Sequence, residues 1–203
     1  MTPILIGLAG LSGAGKTTLA EHLENQGGIK RFRFDAYYKD EIDCPKIDDL
    51  LSSSPAEANR PHWDLPESLC LDEAYEALVE LKKGNDIWLP IYSRKENKRV
   101  GQTIYQPFPI IFAEGLMLFS DERIRDLFDL RFWLEVSEEE ALRRRLLRQP
   151  DYDTEYHWRV AAPAAREFSI PHRAAAHAII DGGRSIQEVT SETDVLIHKF
   201  LKI

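Results

Sequence analysis

Cysteine, methionine and net positive charge are all scarce in this chain. Its 203 residues include two cysteines and two methionines, and 26 lysines and arginines stand against 34 aspartates and glutamates, for a formal net charge of −8. Cys44 and Cys70 show neither CxxC spacing nor neighbouring histidines at zinc-ligand spacing. That excludes a disulfide framework and a thiol–zinc centre, and a reducing cytoplasm is the expected compartment. The acidic balance excludes a general polyanion binder, because nucleic-acid contacts need dense lysine and arginine. No apolar run approaches membrane-spanning length. The N-terminal run has no basic residues ahead of it and ends in glycines, so neither a membrane span nor a signal peptide is expected. Internal repeats and low-complexity tracts are missing too.

What is present is a globular composition, 43 % hydrophobic and 30 % charged. The length fits one domain over 1–203 with a full core and no need of disulfides. Ile4 to Ala9 is a continuous apolar run, the pattern of a strand buried on both faces. Glycine-rich residues 10–15 follow, and Thr17 to Gln26 reads as a helix stopped by Gly27 and Gly28. Arg31 to Phe34 is a short strand. Residues 36–66 are long, polar and turn-rich around Ser52-Ser53-Ser54-Pro55, which predicts a mobile segment on the acceptor side. A helix is expected over Ser68–Lys83, a strand over Asp86–Tyr92, and a basic loop or hairpin over Ser93–Thr103. Further strands are expected at Pro109–Ala113, Leu130–Val136 and Ala178–Ile180. Helices are expected at Asp121–Phe128, Ser137–Arg148, Tyr156–Phe168 and Ser185–Leu201. Strands alternating with helices in this way imply an α/β fold with a mostly parallel sheet.

The sharpest motif is Gly10-Leu11-Ser12-Gly13-Ala14-Gly15-Lys16-Thr17, which fits GxxxxGK[ST] at every fixed position between a strand and a helix. Glycines let the backbone curl so that successive N–H groups face phosphate oxygens, and the helix N-terminus adds its positive end. Gly10, Ser12, Gly13, Ala14, Gly15, Lys16, Thr17 and Thr18 are therefore the expected nucleotide-binding residues. Lys16 would place its ammonium on the β- and γ-phosphates and Thr17 its hydroxyl on Mg²⁺. ATP and Mg²⁺ follow as cofactors; the fate of the γ-phosphate does not.

No NKxD guanine-reading motif occurs, and the chain is short for a motor or AAA-type ATPase. A small-molecule kinase is the expectation that remains. That class needs a carboxylate to take the acceptor's proton and cations over the transferred group. Asp35, after the second strand, is the first candidate; a turn-capping acid is the plainer alternative. Asp64 is a candidate for an acceptor hydroxyl pair, against a simple turn residue. Glu114, ending the Pro109–Ala113 strand, suits Mg²⁺, against a structural acid. Arg143, Arg144, Arg145 and Arg148 share one helix, and three of them can project to a common side. Arg144 and Arg148 are the candidates for phosphate contact, against a solvated face paired with Glu138 to Glu140. Residues 143–156 would form a lid.

The ordered set GLSGAGKTT, Phe34-Asp35-Ala36-Tyr37-Tyr38-Lys39, His62-Trp63-Asp64-Leu65-Pro66-Glu67-Ser68, Leu89-Pro90-Ile91-Tyr92 and Ile111-Phe112-Ala113-Glu114-Gly115 resembles the uridine kinase family from residue 4 to about 182. The resemblance implies a P-loop kinase fold of five parallel strands flanked by helices, with a lid. It implies transfer of the γ-phosphate of ATP to a nucleoside 5′-hydroxyl. It makes Asp35 the general base, Asp64 the ribose ligand, and Thr17 with Glu114 the Mg²⁺ side, with Tyr38, Tyr92 and Arg99 in acceptor binding. The sequence departs from the family's pattern at Arg94, where an aromatic would stand, and at Asn97, where a histidine would stand. The basic cluster Arg94, Lys95, Lys98 and Arg99 either receives an anionic acceptor or is solvated charge. Nicotinamide riboside, pantothenate and sugar phosphates are the other acceptors weighed. A nucleotide-binding regulator or ATPase without an acceptor is the rival from another class. The expected partner is thus a small-molecule acceptor, with neither nucleic acid nor membrane.

Overall fold

A computed structural model of the chain describes residues 2–47 and 59–202. The Ser52-Ser53-Ser54-Pro55 stretch lies outside the described residues, so the expectation of mobility over 36–66 meets structure only at its two ends. Seven strands are present: β1 Ile4–Gly10, β2 Lys30–Arg33, β3 Ile87–Ser93, β4 Lys98–Tyr105, β5 Ile110–Glu114, β6 Leu130–Glu135 and β7 Ala178–Asp181. The helices are α1 Lys16–Gln26, α2 Leu71–Lys83, α3 Glu122–Arg125, α4 Glu138–Arg148, α5 Thr154–Tyr156, α6 Ala162–Phe168 and α7 Ile186–Leu201.

Five strands form one parallel sheet in the order β2-β5-β1-β6-β7. The unbroken apolar runs expected at β1 and β5 are here the inner strands, covered on both faces. Successive residues feed opposite layers. Leu5, Phe32, Ile111 and Trp133 enter one buried cluster with α2. Ile6, Leu8, Phe112 and Phe132 enter another with α1 and α7. The register pairs Leu8 with Glu114 and Arg33 with Glu114, which sets the carboxyl ends of β1, β2 and β5 level at one edge of the sheet. Ligands of open α/β sheets gather at that edge.

Most elements form where the sequence predicts them, with differences of physical origin. The stretch expected as a loop or hairpin over 93–103 is an antiparallel hairpin whose second strand, β4, runs on to Tyr105. β4 is almost wholly exposed, so it shows no buried face to read. The helix expected from Ser68 begins at Leu71, because Pro66–Ser68 form a 3₁₀ turn in which the buried Ser68 hydroxyl donates to the His62 carbonyl at 2.5 Å. The helix expected over Asp121–Phe128 is one turn. The Tyr156–Phe168 helix starts at Thr154 and contains a π-helical turn, His157–Ala161. That turn sits just before Pro163, which lacks an N–H and would clash with the carbonyl four residues back in a regular helix.

Helix ends follow the capping rules. Ser137 accepts from the Glu140 N–H at the start of α4, and Ser185 with Glu188 forms a reciprocal capping box on α7. Ser185→Ala is expected to cost about 1 kcal/mol, read as a lowered urea midpoint with an unchanged slope; an unchanged midpoint would show that the cap contributes nothing.

Candidate active site

The loop after β1 and the start of α1 form one wall of a cleft of about 820 Å³ that runs along the carboxyl edge of the sheet. Gly15, at φ 103°, offers α1 no side-chain cap, so the first N–H groups of the helix are left for a ligand. Gly10 and Gly13 are required by close approach. A Cβ on Gly10 would lie 2.6 Å from the Leu134 carbonyl oxygen, and one on Gly13 would lie 2.2 Å from that of Ala141. The loop is thus wedged between β6 and α4.

Lys16 is buried, and its Nζ donates to the carbonyls of Gly10 at 2.8 Å and Leu11 at 2.9 Å. Burial lowers its pKa, while the carboxylates of Glu114 and Asp35 oppose that by favouring the ammonium. The Thr17 hydroxyl donates toward both Glu114 carboxylate oxygens, at 3.3 and 3.2 Å. Burial and the nearby Asp35 carboxylate raise the pKa of Glu114, with Lys16 pulling the other way. A carboxylate and a hydroxyl side by side at a phosphate loop suit a divalent cation whose remaining ligands are phosphate oxygens and water.

Asp35 lies in a 3₁₀ turn, Phe34–Tyr37, one step beyond β2, rather than on the strand. It lines the cleft with Ser12 to Thr18 and Glu114. Its carboxylate is paired to Arg94 Nη2, a contact from the hairpin that the sequence did not reveal.

The arginine helix divides its work. Arg143 is turned out onto Glu140. Arg144 is a brace: it donates to Glu140, to the Ala14 carbonyl at 3.0 Å and to the Gly182 carbonyl at 2.8 Å. It ties the phosphate loop to the end of β7. Arg145 donates to the Ser12 hydroxyl at 3.1 Å and lies 3.9 Å over the Tyr152 ring. Arg148 lines the cleft; burial, with Arg145 and Arg94 nearby, lowers its pKa. Crowded cations of this kind are relieved by an anion.

At the other end, Asp64 is buried and accepts a hydrogen bond from the Tyr156 hydroxyl at 2.8 Å. Tyr156 carries no sequence signal for this role. Its phenol is strongly held protonated by burial and by Asp64. Tyr38 meets Trp63 edge-on with ring centroids 5.9 Å apart and lies 5.9 Å from Tyr92, so the three give an aromatic wall. Burial pushes Tyr92 up to about 12. Arg60 pairs with Asp153 at 3.1 Å and lies over Tyr156, which joins the segment after α4 to the acceptor end. Arg99 does not line the cleft. Its guanidinium pairs with Glu73 on α2 at 2.7 Å, and its backbone N–H donates to Asp40. The cleft therefore gathers Asp35, Lys16, Thr17, Glu114, Arg144, Arg148, Asp64, Tyr38 and Tyr92, and leaves Arg99 outside.

The chain matches the model of the phosphoribulokinase / uridine kinase family over residues 5–186. It is 31 % identical over 192 residues to a protein named uridine kinase from Brevibacillus brevis, covering 89 % of this chain and 86 % of that one. Its fold is similar to a solved structure of a putative fructose transport system kinase from Silicibacter (TM-score 0.65, 20 % identity, 88 % of this chain and 89 % of the other). It is also similar to that of a possible uridine kinase from Bacillus stearothermophilus (TM-score 0.61, 19 % identity, 89 % and 90 %).

Gly13→Ala and Gly28→Ala both put a side chain at positive φ, but only the first collides with backbone, the surroundings of Gly28 being open. Gly13→Ala is expected to lose stability by about 2 kcal/mol more than Gly28→Ala and to weaken ATP binding at least tenfold. Equal ATP dissociation constants by calorimetry would remove the loop from nucleotide binding.

Proposed function

The chain belongs to the phosphoribulokinase / uridine kinase family, and on that premise we propose that it is an ATP- and Mg²⁺-dependent kinase that transfers the γ-phosphoryl group to the 5′-hydroxyl of a nucleoside. The observation that carries this reading is the shared cleft. Asp35 lines one cleft together with the phosphate loop and with Tyr38, Trp63, Asp64 and Tyr92. A nucleotide switch or plain ATPase has no use for those further groups beside its phosphate loop.

The uncapped start of α1, the Ser12–Thr18 backbone and Lys16 would hold the triphosphate. Thr17 and Glu114 would hold Mg²⁺, which supplies a divalent charge on the phosphate oxygens. The acceptor lies with its sugar hydroxyls toward Asp64, itself fixed by Tyr156, and its flat ring along Tyr38 and Tyr92. Its primary hydroxyl then reaches Asp35. A bond forms from that oxygen to the γ-phosphorus, the bond from the γ-phosphorus to the bridging oxygen of ADP breaks, and the hydroxyl proton passes to Asp35. The ammonium of Lys16 and the guanidinium of Arg148 offset charge on the transferring group, while Arg144 keeps the loop in place beneath it. Residues 143–156 act as the lid, since Arg145, Tyr152, Asp153 and Tyr156 touch both the phosphate loop and the acceptor end.

Asp35→Asn is expected to lower kcat about 10³-fold with the ATP dissociation constant little changed; near-normal turnover would remove Asp35 as the base. Lys16→Ala should weaken ATP binding and abolish transfer, as read by ADP release. ATP hydrolysis that no nucleoside, pantothenate or sugar phosphate stimulates would point instead to an acceptor-free ATPase.

A further inference from the structure

Beside Asp64 lies a second, much smaller cavity of about 20 Å³, room for one water molecule. Asp64, Ser12 and Arg145 line both it and the cleft, whereas His157 lines the small cavity alone. His157 is 7 % exposed, and neither of its buried ring nitrogens has a hydrogen-bond partner among the described residues. Arg145 has a buried Nε without a partner as well. The other polar groups on the cavity wall are engaged. Glu138 accepts from Arg166, the Ser12 hydroxyl accepts from Arg145 Nη1, and Asp64 Oδ2 accepts from Tyr156. Buried polar atoms are almost always hydrogen-bonded, so three orphaned nitrogens on two residues around one water-sized space call for a shared partner.

The donor and acceptor count says what that partner is. Burial and the nearby Arg145 lower the His157 pKa, with Arg166 acting in the same sense and Asp64 and Glu138 opposing. The ring is therefore neutral at pH 7, with one donating and one accepting nitrogen. Arg145 Nε only donates, and the Asp64 carboxylate only accepts. A water among them takes a proton from Arg145, gives one to Asp64 and completes its shell on the ring. An imidazolium would lose the accepting nitrogen and set a second cation beside Arg145. We propose that His157 is a positioning residue, which holds the Asp64 carboxylate and Arg145 in place through one buried water. Tyr156 and His157 are consecutive and both buried; the first grips Asp64 directly and the second through the water. The proposal rests on the kinase reading above, which gives Asp64 its acceptor role.

Two measurements test it. A high-resolution crystal structure of the wild-type protein is expected to show one ordered water within hydrogen-bond distance of His157 and Arg145 Nε; a dry cavity overturns the proposal without any variant being made. His157→Phe keeps a ring against Tyr152, whose centroid lies 6.1 Å from that of His157, and removes both nitrogens. It is expected to raise the acceptor KM roughly tenfold. The ATP KM should change by less than about twofold, because Arg145 stays bonded to Ser12 and over Tyr152. His157→Gln, which restores a donor and an acceptor, should recover most of the loss. An unchanged acceptor KM in His157→Phe, equal losses in the two variants, or an equal rise in the ATP KM would make the histidine a packing residue and overturn the proposal while leaving a nucleoside kinase standing. Wild-type ATP turnover that none of the acceptors weighed above can raise would overturn the kinase reading, and with it the role of Asp64 that His157 serves.

Discussion

The buried ammonium of Lys16 is the charge that the rest of the site must accommodate. A cation out of water is costly unless it is paired and hydrogen-bonded. Here two loop carbonyls receive its protons, and Glu114 and Asp35 supply negative field from the ends of neighbouring strands. The sheet order makes this possible: β5 lies between β1 and β2, so Glu114 stands between the phosphate loop and the turn that carries Asp35. The same arrangement explains why burial raises the Glu114 pKa yet the group remains useful. Its neighbours are the Lys16 ammonium, the Thr17 hydroxyl and a second carboxylate, Asp35.

A second constraint comes from α4. The helix packs so closely on the loop that Gly13 admits no Cβ, and it sends Arg144 and Arg145 to opposite sides of that contact. Arg144 stiffens the loop, and Arg145 continues through Tyr152 toward the acceptor end. From there the contacts pass by way of Tyr156 to Asp64. The phosphate loop and Asp64 are thereby joined by one chain of packed side chains.

Much of this was legible in the sequence. The phosphate loop and the inner strands β1 and β5 declare themselves through fixed spacing and unbroken apolar runs, because each is a local property. Asp35, Asp64 and Glu114 could be placed because each follows or precedes an element whose end is readable. What could not be read depends on which way a long side chain turns. Arg94 and Arg99 sit five residues apart on one hairpin, with a bulge between Ile91 and Tyr92 that shifts the register. One turns to Asp35 and the other to Glu73. Tyr156 reaches Asp64 across 92 residues, and no local pattern encodes such a contact. Over 93–103 the sequence left loop and hairpin open, because a strand exposed along most of its length shows no alternation of burial.

The opening deficit of positive charge also takes on structure. The net −8 belongs to the surface as a whole, whereas the cleft concentrates Lys16, Arg94, Arg145 and Arg148 around Asp35, Asp64 and Glu114. The most direct test of phosphoryl transfer within that cleft is phosphorus NMR of a reaction containing the protein, ATP, Mg²⁺ and the best acceptor. The account requires the γ-phosphate resonance to be replaced by a phosphomonoester split by the two protons of a primary 5′-carbon, in step with ADP. Appearance of inorganic phosphate alone would contradict it.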